Sequence, residues 1–468
     1  MAGIPNLEPP PSSIDPFASP DRLDPELQAF LEGACFRLCH WMARSSQGRP
    51  LPEIGQYSDF ELSDKGLSVE KLLDEVQVIM NGAYKPSHPG SLAHLDPPPL
   101  TASIVGELIS AGLNNNLLAE ELSPSLSQLE RKLCQWFSQS LGMSSDAGGV
   151  FASGGSLSNL IALVAAREHF GLQCDSSAVM FASSDAHVSL IKARRVMGLG
   201  EDSLQLIPTD CAGKIRLDLL QEKITFMKSI GRKCFAIVAT AGTTVLGSVD
   251  PISDLVKISK KEGLWLHVDG AIGGIFALSP FTSKIVKGIS SADSVTLNPQ
   301  KILGIAKTSS LLIVSKRSIL FDTFSTGLPY LDPPYGEPHG GEMGIQGTRS
   351  GEALKLWLGL RQLGKDGVND LLKKAIERRE YLQKKFLNSK FNLKAGDLHI
   401  ISLSPKNMDE ENLEKWSKNT QRDLLYMNYM VSRPIYNGSY YLKMVLGNPN
   451  TSLNHLDELA EIINQSVT

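Results

Sequence analysis

The middle of the chain alternates short, wholly apolar runs with longer stretches in which apolar residues recur every three or four positions. The runs GGVFAS, AVMFAS, LQLIPT, FAIVATAG, LWLHVDGAI, SVTLNP and SSLLIVS fall between about residues 148 and 315. Between them lie SLSNLIALVAARE, HVSLIKARRVM, LDLLQEKITFMKS and ISDLVKISKKEG, each with helical spacing. This alternation predicts a mostly parallel α/β sheet with helices on both faces. In such a sheet ligands collect beyond the carboxyl ends of the strands, so the chemistry is expected just after each apolar run.

The flanks read differently. Residues 1 to about 23 carry no period and many prolines, as a loose arm does. Residues 24–45 open on Asp-Pro and continue with helical spacing, which predicts a first helix. Helical patterns run on to about residue 140, broken by Lys85–Thr101 with its five prolines. Long helices are expected over 352–390. After Phe391 come shorter segments, LHIISLS and YLKMVLGN, and a last helix, LNHLDELAEIINQ. The expected division is a mostly helical arm over 1–100 that packs on a dimer partner, a large α/β domain over 101–365, and a small α+β domain over 366–468.

Composition narrows the function. In 468 residues, 46 Lys and Arg face 50 Asp and Glu, a net charge of -4, so no basic excess exists to neutralise a nucleic-acid backbone. The six cysteines are too scattered for a disulfide framework, and Cys35 and Cys39 have no facing pair to complete a zinc site. The N-terminus lacks the charged and apolar regions of a signal peptide, and no apolar run approaches the roughly 18 residues of a membrane span. A cytoplasmic protein is expected.

Two strand ends carry the first chemical signal. LWLHVD closes on Asp269 and is followed by GAIGG; SVTLNPQK closes on Asn298 and reaches Lys301. Alone, the Asp reads as a helix cap and the Lys as a solvated charge. Together they suit pyridoxal phosphate, which needs a lysine for a Schiff base and a carboxylate at the pyridine nitrogen. The remaining needs of that cofactor have candidates at other strand ends. Gly154-Gly155-Ser156 opens a helix where a phosphate would sit. His187 could lie flat on the ring, and Thr244 could reach the ring hydroxyl or the substrate.

The series GGSLSN (154–159), DAHVSLIKA (185–193), TAGTTVLGSVD (240–250), HVDGAIGG (267–274) and NPQK (298–301) resembles the group II pyridoxal-phosphate amino-acid decarboxylases. The resemblance runs from about residue 80 to 460. It implies an aspartate-aminotransferase-like fold (fold type I), a homodimer with shared active sites, and pyridoxal 5'-phosphate as cofactor. It assigns Lys301 to the Schiff base, Asp269 to the ring nitrogen, and His187 to the ring face. Gly155, Ser156 and Asn298 go to the phosphate, and Thr244 and Ala271 to the ring's edge and face. Tyr330, 29 residues after Lys301 in GLPYLDPPYGEPHGG, matches the family's lid tyrosine that protonates the substrate carbon.

Some positions depart from the family. Gln300 and Ile302 stand where it usually has His and Trp around the Schiff-base lysine, Ile272 replaces an aromatic residue, and SHPGSLAHLDPPP lacks an aromatic pair. His94 and Asp96 fall at the side-chain pocket. Lys443 takes the place of an arginine that can pair with a substrate carboxylate. The reaction implied is decarboxylation of an L-amino acid, either acidic (glutamate, aspartate, cysteine sulfinate) or diaminobutyrate-like. Aldehyde synthesis, transaminase-like chemistry and a non-catalytic binding role remain as alternatives, against which the intact Tyr330, Lys301, Asp269 and His187 argue.

Overall fold

The computed structural model describes residues 17–53, 61–62, 64–327 and 336–467. Four helices come first: α1 (Pro25–Ala43), α2 (Val69–Asn81), α3 (Thr101–Leu113) and α4 (Pro124–Ser140). Asp24 caps α1, its carboxylate accepting the backbone N–H groups of Glu26 and Leu27 at 3.0 Å each, with Pro25 in the first turn. No residue of α1 is buried, so the arm lies on the surface of the chain as it stands alone.

The chain then builds β1 (Gly148–Ala152), α5 (Gly155–His169), β2 (Ala178–Ser183), α6 (Ser189–Val196), β3 (Leu204–Ile207), α7 (Leu217–Ser229) and β4 (Lys233–Thr240). After these come α8 (Ile252–Glu262), β5 (Trp265–Gly270), β6 (Ser294–Leu297), β7 (Ser310–Val314) and α9 (Ser318–Phe324). The seven strands form one sheet in the order β1-β7-β6-β5-β4-β2-β3. All neighbours pair in parallel except β7, which runs antiparallel to both β1 and β6. The sheet is therefore mixed but mostly parallel, and all seven apolar runs are strands of it. Apart from the edge strand β3 and the start of β4, their side chains are buried on both faces, which is why they read as continuous apolar runs rather than alternating ones.

The C-terminal part follows with α10 (Glu352–Lys385), β8 (Phe391–Ala395), β9 (Ile400–Pro405), α11 (Glu410–Tyr426), β10 (Ile435–Tyr436), β11 (Ser439–Tyr440), β12 (Leu442–Val445) and α12 (Leu453–Gln465). Within α10 the helical dihedrals break at Gly364, whose φ of 60° suits glycine. Strands β12, β9 and β8 make a small antiparallel sheet over a second core that includes Leu382, Phe386, Leu403, Met444 and Leu459.

One connection brings distant sequence together. Leu92 donates to Met430 and accepts from Val445, so the proline-rich segment adds an edge to the C-terminal sheet. Asn448 Nδ2 and Thr451 Oγ1 hold the carbonyls of His88 and Pro89 at 2.8 and 2.7 Å. Residues 88–96 are thereby fastened to the C-terminal part beside Lys443.

Candidate active site

The ends of β1, β2, β4, β5 and β6 open into one cavity of about 230 Å³. It is lined by Gly155, Ser156, His187, Thr244, Asp269, Ala271, Asn298 and Lys301, so every candidate cofactor residue read from the sequence is gathered there. The cavity also has Asn159, Thr240, Thr243 and Ile272 in its wall, which the sequence reading did not single out for it. Asn159 had a visible signal: it follows Gly155 by four positions in α5, one helical turn, and so shares its face.

The floor of the cavity is Asp269. Its Oδ2 accepts Asn159 Nδ2 at 2.8 Å and its Oδ1 accepts the Ala271 backbone N–H at 3.2 Å. Lys301 stands on the next strand end. Burial pushes its ammonium below the ordinary lysine value, while Asp269 and Asp96 pull it partly back. The result is an amine closer to its nucleophilic form. His187 is likewise pushed down by burial, and its Nδ1 accepts the Ser189 backbone N–H at 3.2 Å. The neutral ring therefore carries its proton on Nε2.

At the other end, α5 begins on Gly154, with φ 147° and no side-chain cap, leaving its first N–H groups for an anion. A Cβ on Gly155 would come within 3.0 Å of Asn298 Nδ2, so the backbone and the amide form a close cradle. Asn298 is fixed in turn: its Oδ1 accepts Ser310 Oγ at 2.7 Å, which turns Nδ2 toward the helix start. Thr240 Oγ1 is buried in the cavity wall without a hydrogen-bond partner among the described residues. An anion cradle, a buried carboxylate, a lysine of lowered basicity and a buried hydroxyl around one cavity fit the chemistry of pyridoxal phosphate.

The remaining candidates lie outside the cavity's wall. Lys443 Nζ donates to the carbonyl of Thr244 at 3.3 Å and is pushed down by burial, with Asp96 pulling the other way. Asp96 pairs with Lys307 at 2.6 Å. His94 is exposed, and burial of part of its ring, then Lys443, push it down. Gln300 spends its Oε1 on the Ser309 backbone N–H, and Ile302 and Ile272 are buried. Tyr330 lies outside the described residues.

The chain matches the pyridoxal-dependent decarboxylase conserved domain over residues 52–402. The acidic amino acid decarboxylase GADL1 of Mus musculus is 30% identical over 359 residues, 74% of this chain and 64% of the mouse protein. The match thus spans less than two thirds of that relative's length. An L-2,4-diaminobutyrate decarboxylase of Acinetobacter baumannii is 29% identical over 345 residues, 68% of this chain and 67% of that one. Among solved structures, mouse CSAD in apo form superposes with a TM-score of 0.86 at 23% identity, over 95% of this chain and 99% of that one. Oryza sativa TDC with PLP and tryptamine does so at 0.87 and 19%, over 96% and 99%. At these identities the likeness to the solved structures is one of fold.

Proposed function

The chain belongs to the pyridoxal-dependent decarboxylase family, and we propose that it decarboxylates an acidic L-amino acid to the corresponding amine. Bound pyridoxal phosphate supplies an electron sink for the charge left at the substrate carbon when carbon dioxide departs. The chain's own groups supply the rest. Lys301 would supply the amine for the aldehyde carbon, Asp269 would meet the ring nitrogen, and His187 would cover the ring face. The open start of α5, with Gly155, Ser156 and Asn298, would take the phosphate, while Thr244 and Ala271 would bound the ring. Tyr330 is assigned the proton delivery to the substrate carbon on its position in the sequence alone.

The charge balance at the mouth carries the choice of substrate. Asp96 is already paired with Lys307, whereas Lys443 is half-buried with, among the described residues, only a carbonyl oxygen as hydrogen-bond partner. A cation of this kind favours an anionic side chain, held as a point charge rather than in a fork. Asp96 supports a second reading, in which it breaks from Lys307 and takes a diaminobutyrate ammonium. Carbon dioxide release from acidic, dibasic and aromatic amino acids, each assayed alone with added pyridoxal phosphate, separates the two. Release from acidic substrates is expected; release from diaminobutyrate alone selects the second reading, and no release at all overturns both.

The same proposal includes a homodimer. Val105, Leu108, Ile109 and Leu113 on α3, with Phe36 on α1 and Ile79 on α2, stay exposed in the single chain. A second copy covering them would account for that surface. The three-part division at residues 100 and 365 is retained as part of the proposal, supported by the break at Gly364 and the separate C-terminal core. A cytoplasmic site of action agrees with six free thiols, and no helix among the described residues is long and apolar enough to cross a membrane.

A further inference from the structure

Behind Asp269 lies a chain of buried polar groups that the cavity itself does not require. Trp265, His267 and Asp269 alternate along β5 and so share one face of the sheet, the face covered by α5. Ser294 and Thr296 sit beside them on β6, in register with His267 and Asp269. Trp265 Nε1 lies 2.8 Å from Ser294 Oγ, which lies 2.8 Å from His267 Nδ1. His267 Nε2 is 3.0 Å from Asn159 Oδ1, and Asn159 Nδ2 is 2.8 Å from Asp269 Oδ2. Trp265, Ser294, His267 and Asn159 are all at most 3% exposed.

The proton positions along this chain follow from its two ends. An indole N–H can only donate, and an ionised carboxylate can only accept. Ser294 therefore accepts from Trp265 and has its own proton free for His267 Nδ1. His267, pushed down to about 4 by burial, is neutral and carries its single proton on Nε2. That proton goes to Asn159 Oδ1, which also accepts Thr296 Oγ1 at 2.7 Å. The two donors lock the Asn159 amide, so its Nδ2 must face Asp269 and Ser189 Oγ, 3.0 Å away. Reversing any link would set two acceptors against each other at the next.

We propose that Trp265, Ser294, His267 and Asn159 act as a one-way hydrogen-bond relay that holds negative charge on Asp269 and so keeps the shared proton on the cofactor's ring nitrogen. They are positioning residues, acting through Asp269 rather than touching the ring. The Asn159 donor on Oδ2 stabilises the carboxylate over the carboxylic acid, and each link polarises the next in this dry setting. Without the relay the proton shifts toward Asp269, and the ring loses its power to accept electrons. The inference rests on the cofactor reading above.

The test titrates apoprotein with pyridoxal phosphate and with its deaza analogue, in which carbon replaces the ring nitrogen. Ser294→Ala removes the central hydroxyl; Trp265→Phe keeps an aromatic ring there while losing the first donor together with the fused five-membered ring. Ser294→Ala is expected to weaken pyridoxal phosphate roughly tenfold, in the range seen for outer partners of other buried ligands, and Trp265→Phe less. Binding of the analogue should stay unchanged or tighten, because the relay then has no proton to hold. Equal weakening of both ligands in the folded variants, or no weakening of pyridoxal phosphate, would overturn the relay alone. Failure of the unaltered protein to bind pyridoxal phosphate at Lys301, read by borohydride fixation, would overturn the cofactor reading and the relay with it.

Discussion

Lys443 donates to the carbonyl oxygen of Thr244 at 3.3 Å, tying a strand of the C-terminal sheet to the loop that rims the cofactor cavity. Among the described residues it has no carboxylate in ion-pair contact, and Asp96, the acid that acts on it from farther off, is paired with Lys307. Lys443→Ala is therefore expected to raise KM for an acidic substrate by about ten- to a hundredfold, the worth of a hydrogen bond to a charged group. The turnover number should fall less. Steady-state kinetics with the best acidic substrate give the answer, and Lys443→Arg should retain a good part of the binding.

Lys307→Ala acts in the opposite sense. It frees Asp96, whose carboxylate then offers a site for an ammonium group. The ratio of kcat/KM for diaminobutyrate over glutamate should rise by roughly two- to fivefold, the order expected for one exposed partner in such a pair. Competition between the two substrates in a single assay reads the ratio directly.

Tyr330→Phe is expected to leave cofactor uptake intact and cut amine formation by roughly 10²–10⁴, the usual worth of a positioned general acid. Carbon dioxide without the amine, or an aldehyde in its place, would be seen by mass spectrometry of the products. This expectation rests on the 29-residue interval from Lys301.

A pH effect on stability follows from His399. It is fully buried against Phe276, neither ring nitrogen has a hydrogen-bond partner among the described residues, and burial pushes it down to about 3. In the unfolded chain it titrates near 6.5, so between those values the unfolded state binds the extra proton. Stability is thus retained above about pH 6.5 and lost as the pH falls toward 3. Near pH 5 this residue alone costs about 2 kcal/mol, which His399→Leu should remove, flattening the acid side of the stability profile. Denaturant melts across that range test it.

Much of this architecture was legible in the chain itself. The strands announced themselves because the large sheet, apart from its β3 edge, is buried on both faces, and the site residues fell after them because parallel strands aim their ends at one cavity. The direction of β7 was not legible, since an apolar run carries no sign of which way it lies. Helix α11 was hidden for a different reason. Its buried stripe is Leu413, Trp416, Ser417, Thr420 and Leu424, and the Ser and Thr within it break the apolar period. The relay behind Asp269 was scattered over α5, β5 and β6, and only pairing brings Ser294 beside His267. The pairing of Asp96 with Lys307, 211 positions apart in the numbering, was equally invisible until the two loops folded together.

The most direct measurement offers the protein, with pyridoxal phosphate, an equal mixture of glutamate, aspartate, cysteine sulfinate and diaminobutyrate, and identifies the products by mass spectrometry. The charge balance around Lys443 predicts the amine of an acidic substrate, with none from the Lys301→Ala variant. A diamine as the main product, or an aldehyde or keto acid in place of any amine, would contradict it.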